Sequence, residues 1–301
     1  MGDMINEWLV NIISGMCNAL LGYFVQFINL INTSDVLGAG FSNLLGTTTN
    51  NNTTVYTLAT KLHDIGVVPI AHSILALVML VQIIKISQKM DANATIPALK
   101  EILTLAVFFF IFSFLINNSI QLCTSVFNEA QNLTSLLRNW TGFNGTGVAN
   151  ISIASGTITD PGVFITALIF CFLAFICAII AYLVALVVSY ARALQLYVMM
   201  AFAPIPIALL GFDETRSSGI SFIKSFIAIC LSFTILIFIL TCFPYVVAGL
   251  VSDLASNTVI DLAVNWTAGP VLGLLKLLAI CVVLIFAVAK SGGWAKEIMG
   301  G

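Results

Sequence analysis

Charge is what this chain lacks most. Only 8% of its 301 residues are Asp, Glu, Lys or Arg and 60% are hydrophobic, against about 25% charged in a soluble domain. A chain so poor in charge has no way to cover a surface for water, and its mean hydropathy of +1.09 is that of an integral membrane protein. The formal net charge is −2, so no bulk basic field announces nucleic acid or anionic lipid; contact with DNA would be local or through the lumen of an oligomer. The seven cysteines (Cys17, Cys123, Cys171, Cys177, Cys230, Cys242 and Cys281) are scattered through apolar runs. None has the paired short spacing of a zinc or redox site, and they read as small packing residues. The start of the chain lacks a basic segment and carries Asp3 and Glu7, so it does not read as a cleaved signal peptide. Asn6 stands where a myristoylation signal wants Ser or Thr.

What is present is a succession of long apolar runs separated by loops rich in Asn, Thr, Gly and Ser. Residues 1–32 form an amphipathic helix, with Trp8, Leu9, Ile12, Met16, Tyr23 and Phe24 on one stripe and Glu7, Asn11, Ser14, Asn18 and Gly22 on another. It either lies in the membrane interface or packs its polar stripe into a bundle. Residues 33–66 read as an external polar loop without periodicity. Residues 67–127 hold the first two spans: Val67–Ser87, then an apolar run from Ile102 that continues through Asn117 and Asn118, with Lys85–Glu101 as the loop between. His72 lies inside the first of these. It is either a proton relay or a polar group satisfied within the bundle. Residues 128–162 read as a second external loop, and its Gly142, Gly145 and Gly147 lack the Gly-Lys-Ser/Thr ending of a phosphate loop. Residues 163–250 are the central membrane region, and 251–301 hold an external loop, the last span and a short tail. In that span Lys276 is close enough to the end to snorkel, and Lys290, Trp294 and Lys296 form an interfacial anchor.

The centre of the chain is the stretch Ser189–Ser225. An apolar segment follows Arg192, is interrupted by Pro204 and Pro206, and stops at Gly211. A helix does not run straight through two such prolines, and in lipid the freed backbone groups need protein or water. Basic residues set the orientation. One side takes Lys85, Lys89, Lys100, Arg192, Arg216, Lys224, Lys290 and Lys296, and the opposite loops keep only Lys61 and Arg138. The positive-inside rule makes the first side cytoplasmic, with the C-terminus there. On that arrangement Ala193–Leu210 does not cross. It either extends the preceding helix or doubles back at the prolines. The expected architecture is an all-α integral membrane protein, a polytopic helical bundle of five definite spans with an N-terminal amphipathic helix and a proline-broken segment on the cytoplasmic side.

Chemistry is sparse. No metal-binding helix pattern, nucleophile elbow or intact phosphate loop occurs, so neither catalytic residue nor cofactor is assigned. His63 and Asp64 adjoin each other but lack a convergent nucleophile in the sequence. The dense charge cluster Asp213-Glu214-Thr215-Arg216 has two compatible readings. One is helix capping, with Gly211 ending a helix and Asp213 or Ser217 capping the next. The other is a docking site for a cytoplasmic partner, made by Arg192, Asp213, Glu214, Arg216 and Lys224.

The run from Arg192 through Tyr197-Val-Met-Met-Ala-Phe-Ala-Pro204-Ile-Pro206-Ile-Ala-Leu, followed by Glu214-Thr-Arg216 and a Gly-, Ser-, Phe- and Lys-containing helix start, resembles the TrbL/VirB-type polytopic subunits of type IV secretion and conjugation machines. The likeness covers Val163 to about Leu250. It implies a non-enzymatic, multi-pass subunit of a bacterial cytoplasmic membrane that helps form the path for DNA or protein. It also implies homo-oligomerisation, association with secretion ATPases, other membrane subunits and lipid, and transient contact with the translocated substrate. Pro204 and Pro206 fall in the motif's hinge, with Arg192 and Arg216 at its basic flanks, and Gly211 completes the helix break read from the residues. The chain departs from many members in closing soon after its last span, so functions of a long soluble tail are not carried over. The alternative reading is a small-solute transporter or channel, with His72 and Lys276 as its intramembrane polar groups. That reading predicts an inverted repeat with broken helices in both halves, and only one half carries such a break.

Overall fold

The computed structural model describes residues 2–32, 40–45, 54–90, 95–140, 161–211, 214–256 and 270–300. Their regular structure is helical: α1 Gly2–Asn32, a 3-10 turn at Phe41–Asn43, α2 Val55–Leu62, a π turn at His63–Val67, α3 Val68–Met90, α4 Thr95–Asn117, α5 Ser119–Trp140, α6 Pro161–Phe202, α7 Pro204–Leu209, α8 Arg216–Ser256 and α9 Pro270–Ile298. Pro161, Pro204 and Pro270 each open a helix, at a position where a missing N–H costs nothing and the fixed φ already suits the turn. Thr54 caps α2 by accepting the Thr57 amide at 3.1 Å. Among the described residues, six stretches are long and apolar enough to cross a membrane: Glu7–Phe27, Val55–Gln88, Lys100–Asn117, Leu168–Phe202, Arg216–Phe243 and Leu278–Ile298.

The chain forms two compact units, interleaved along the sequence. One comprises Met1–Leu37, Leu133–Ser189 and Thr234–Ser291. In it α1 packs on α6 through Tyr23 and Phe27 against Phe175, with ring centroids at 6.2 and 5.8 Å, and through Phe27 against Tyr182 at 5.9 Å. Cys171, Ala174, Ala178, Ala181 and Ala185 form a buried small-residue stripe along α6, the kind of surface that lets helices approach closely in apolar surroundings. The buried face of the N-terminal helix takes only Ser14 from its polar stripe, and Glu7 and Asn11 are exposed. Ser14, Cys17, Leu21, Phe24 and Val25 are buried, whereas Trp8, Leu9, Ile12 and Met16 face outward.

The other unit comprises Gly38–Asn132, Tyr190–Phe233 and Gly292–Gly301. Its core joins α3 and α4, which pack side by side, to the short helix α7. Ala71, Leu75 and Met79 from α3, Leu105 and Ile116 from α4, and Ile207 and Ala208 from α7 form one buried cluster. A second centre is aromatic. Phe41, Tyr56, Phe127 and Tyr197 meet with centroids 5.0–6.0 Å apart, and Phe233 joins Phe127 at 6.1 Å.

Three expected loops need correction. The segment 33–66 contains the Phe41–Asn43 turn and all of α2. It is held because the Tyr197 hydroxyl donates to the Phe41 carbonyl at 2.7 Å and accepts the Leu44 amide at 3.1 Å. The segment 128–162 is helical as far as Trp140. Its Asn, Gln and Ser residues conceal a buried stripe at Ser119, Cys123, Phe127, Ala130 and Thr134, which has helical spacing. Between Lys85 and Glu101 the chain stays helical to Met90 and resumes at Thr95. The run from Ile102 does continue past Asn117, interrupted only at Asn118, whose amide and carbonyl keep the ladder through Phe114 O and Leu122 N, both at 3.1 Å.

Candidate functional site

The proline-broken stretch is one arm of a helical hairpin. The α6 helix runs unbroken to Phe202, so Ala193–Phe202 extends the preceding helix and does not double back at the prolines. At Ala203 the amide bonds to Met200 O at 3.3 Å, one residue nearer than an α-helix requires, and α7 then starts on Pro204. The reversal comes later, between α7 and α8, where the Thr215 hydroxyl donates to Leu209 O at 2.9 Å. Beyond it α8 returns alongside. Gly219 is buried so close to α7 that a Cβ there would lie 2.7 Å from Pro206 O and 2.6 Å from Leu210 Cγ. Ala203, Ile207 and Leu210 face Phe222, Ile223, Phe226 and Ile227 across a small apolar groove.

Arg192 lies at the other end of this hairpin. It is only 7% exposed, and its Nη1 donates to Ser232 O at 2.9 Å. A Cβ at Gly292 would stand 3.3 Å from its Nη2, so α9 approaches the guanidinium through a residue with no side chain. Ser232 is sixteen residues along α8 from Arg216, about 24 Å at 1.5 Å per residue. Arg192 is therefore inside the bundle rather than on a rim beside Arg216, and its assignment to an accessible docking cluster is corrected. Burial among apolar helices, which charge counting along the sequence cannot register, is the cause.

Glu214, Arg216 and Lys224 of that cluster lie at and after the hairpin tip. Lys85 of α3 pairs with Glu214, Gln82 Nε2 donates to Gly211 O at 3.4 Å, and the Phe112 ring lies against Gly211. Arg216 and Lys224 are exposed. Asp213 lies outside the described residues. The capping expectation changes as well: α8 begins at Arg216 with no acid in its first turn, and the Ser218 amide bonds to the Thr215 carbonyl at 2.9 Å.

His72 is satisfied inside its unit, with Nδ1 2.9 Å from Val68 O and Nε2 3.2 Å from Ser113 Oγ. Lys276 is exposed. A hydroxyl does converge on His63, contrary to the expectation from sequence. Its Nε2 is 2.6 Å from Ser119 Oγ and its Nδ1 2.8 Å from Asp64 Oδ1. The order of exposure is the reverse of a nucleophilic site. Ser119 is fully buried and its hydroxyl bonds Ile116 O at 2.8 Å, while Asp64 is 61% exposed. The trio fastens the π turn to the α4–α5 junction. Among the described residues no group of three or more His, Cys, Asp or Glu side chains is placed to hold a metal ion.

No family model, curated protein or solved structure matches this chain.

Proposed function

We propose that this chain is a structural channel or scaffold subunit of a type IV secretion apparatus, serving conjugative DNA or protein transfer in a bacterial cytoplasmic membrane. The observation that carries the reading is the hairpin. The residues that resemble the TrbL/VirB-type motif, from Arg192 to Lys224, form one packed device: a buried arginine at its base, a proline-broken arm, and a charged tip tied to α3. On this reading the chain is multi-pass and acts as architecture, not as an enzyme. Several copies pack around a central space, and the tip with Lys85, Arg216 and Lys224 faces the cytoplasm, where secretion ATPases dock. Outward apolar side chains such as Phe110, Phe114, Val283 and Phe286 supply surface for lipid and for neighbouring membrane subunits.

The test is purification of the tagged full-length protein from its native cells in mild detergent, with copurifying proteins identified by mass spectrometry. Recovery of a secretion-type ATPase together with other conjugation subunits is expected. A protein recovered alone, as one or two well-folded copies, would instead favour the transporter reading and make Arg192, His72 and Lys276 the residues to examine.

A further inference from the structure

A cavity of about 470 Å³ lies beyond the hairpin tip, between the first turns of α8 and the end of α9. Its walls carry Lys224 and Lys296, together with Ser217, Ser221 and Ser225, and among the described residues no Asp or Glu lines it. The three serines recur every four residues and so stand on one face of α8. Elsewhere Ser189, Ser232 and Ser291 spend their hydroxyls on carbonyls of their own helices. The cavity serines make no such bond among the described residues, so their hydroxyls are available to a ligand. Two lysines from distant parts of the chain line this space, and an anion between them would be attracted by both charges. The opening turn of α8 adds the positive end of its helix dipole. On the other wall α9 ends in a turn closed by Gly300, whose φ of +70° suits a residue without Cβ.

The depth of the cavity selects the ligand. It lies where two apolar stretches, Arg216–Phe243 and Leu278–Ile298, reach their ends. Trp294, 41% exposed, sits on the same closing turns of α9, and such aromatics mark the headgroup level of a bilayer. The volume falls in the range of about 300–1,000 Å³ typical of small-molecule sites. We infer that this cavity is a phosphate-binding site, with Lys224 and Lys296 holding the charge of the phosphate and the three serines donating to its oxygens. The same chemistry is offered by an anionic phospholipid headgroup and by free phosphate. The site stands independently of the secretion reading.

The experiment uses the full-length protein in neutral detergent, as wild type, as the double variant Lys224→Gln/Lys296→Gln, and as a control, Lys290→Gln, at an exposed lysine away from the cavity. Native mass spectrometry reads retained phosphatidylglycerol, and thermal denaturation reads the response to inorganic phosphate. The double variant is expected to bind at least about tenfold more weakly, with the control unchanged and Lys224→Arg/Lys296→Arg retaining binding. Loss of phosphatidylglycerol alone assigns the site to a headgroup, and loss of a phosphate-induced rise in melting temperature assigns it to the free ion. Equal phosphatidylglycerol retention by wild type and double variant, with no phosphate response in either, overturns the proposal. So does a lysine-dependent affinity for a short single-stranded DNA with neither lipid nor phosphate bound.

Discussion

Arg192 and Gly219 show how single positions fix the hairpin. Truncating Arg192 to Ala removes a charged hydrogen bond to Ser232 O and opens a cavity, a loss of roughly 2–4 kcal/mol. Arg192→Met keeps the bulk and spares the desolvation of a guanidinium. The expected order of melting temperatures in detergent is wild type or Met highest and Ala lowest; an Ala variant as stable as wild type would mean that the arginine is not buried. Gly219 gives a test of opposite sign from helix propensity. In an open helix interior, Gly→Ala gains up to about 1 kcal/mol, and Gly15, with nothing near its position, is such a site. At Gly219 the new methyl meets the Pro206 carbonyl, and overpacking of this kind costs about 1–3 kcal/mol. Gly219→Ala should therefore lower the melting temperature while Gly15→Ala does not, and stabilisation by both would refute the close approach. Neither effect is visible in the sequence. An arginine beside apolar residues reads as a rim charge, and a glycine in a helix start gives no sign of the carbonyl packed against it.

Among the elements, α7 is the one whose form depends on its prolines. With Pro204 and Pro206 both changed to Ala, the missing amides return and α6 can extend through Ala203 into α7, removing the tightened turn that seats Ile207 and Ala208 on α3. The expectation is a clear fall in transfer frequency at an unchanged level of membrane-inserted protein, measured by mating assay and membrane fractionation; undiminished transfer would count against the hinge. The break itself was legible, because proline chemistry acts locally. So were the long apolar helices, because their runs leave no other regular structure. What was illegible depended on partners distant in sequence. The Phe41 turn is defined by Tyr197, 156 residues away, and the His63 contact by Ser119, 56 residues away. The helix α5 was hidden by polar residues on its outer face, and its core stripe emerges only when counted at helical spacing.

At the scale of the molecule, two interleaved units share the chain, and six stretches of the described residues have the length and apolarity to cross a bilayer. The composition was sufficient to expect that surface, and the division into units was not foreseen. The proposed orientation puts the hairpin tip and the α9 terminus on the cytoplasmic side, which positions Lys85, Lys224 and Lys296 for a labelling test. Introduced one at a time, Lys85→Cys, Lys224→Cys and Lys296→Cys should all resist a membrane-impermeant maleimide in intact cells and react after permeabilisation. A split result among the three would break the orientation. The hairpin's fastenings fall at several heights: Arg192 against Ser232 at the base, Gly219 against Pro206 partway, and Thr215 on Leu209 at the tip. Within α6 or α8, adding or removing one residue turns everything beyond it by about 100° around the helix, so a change of length inside either helix unseats the fastenings on its far side. The forty-residue interval between Arg192 and Ser232 thus works as a ruler: the helical spacing of its marks is as fixed as the letters at Pro204, Pro206 and Gly219.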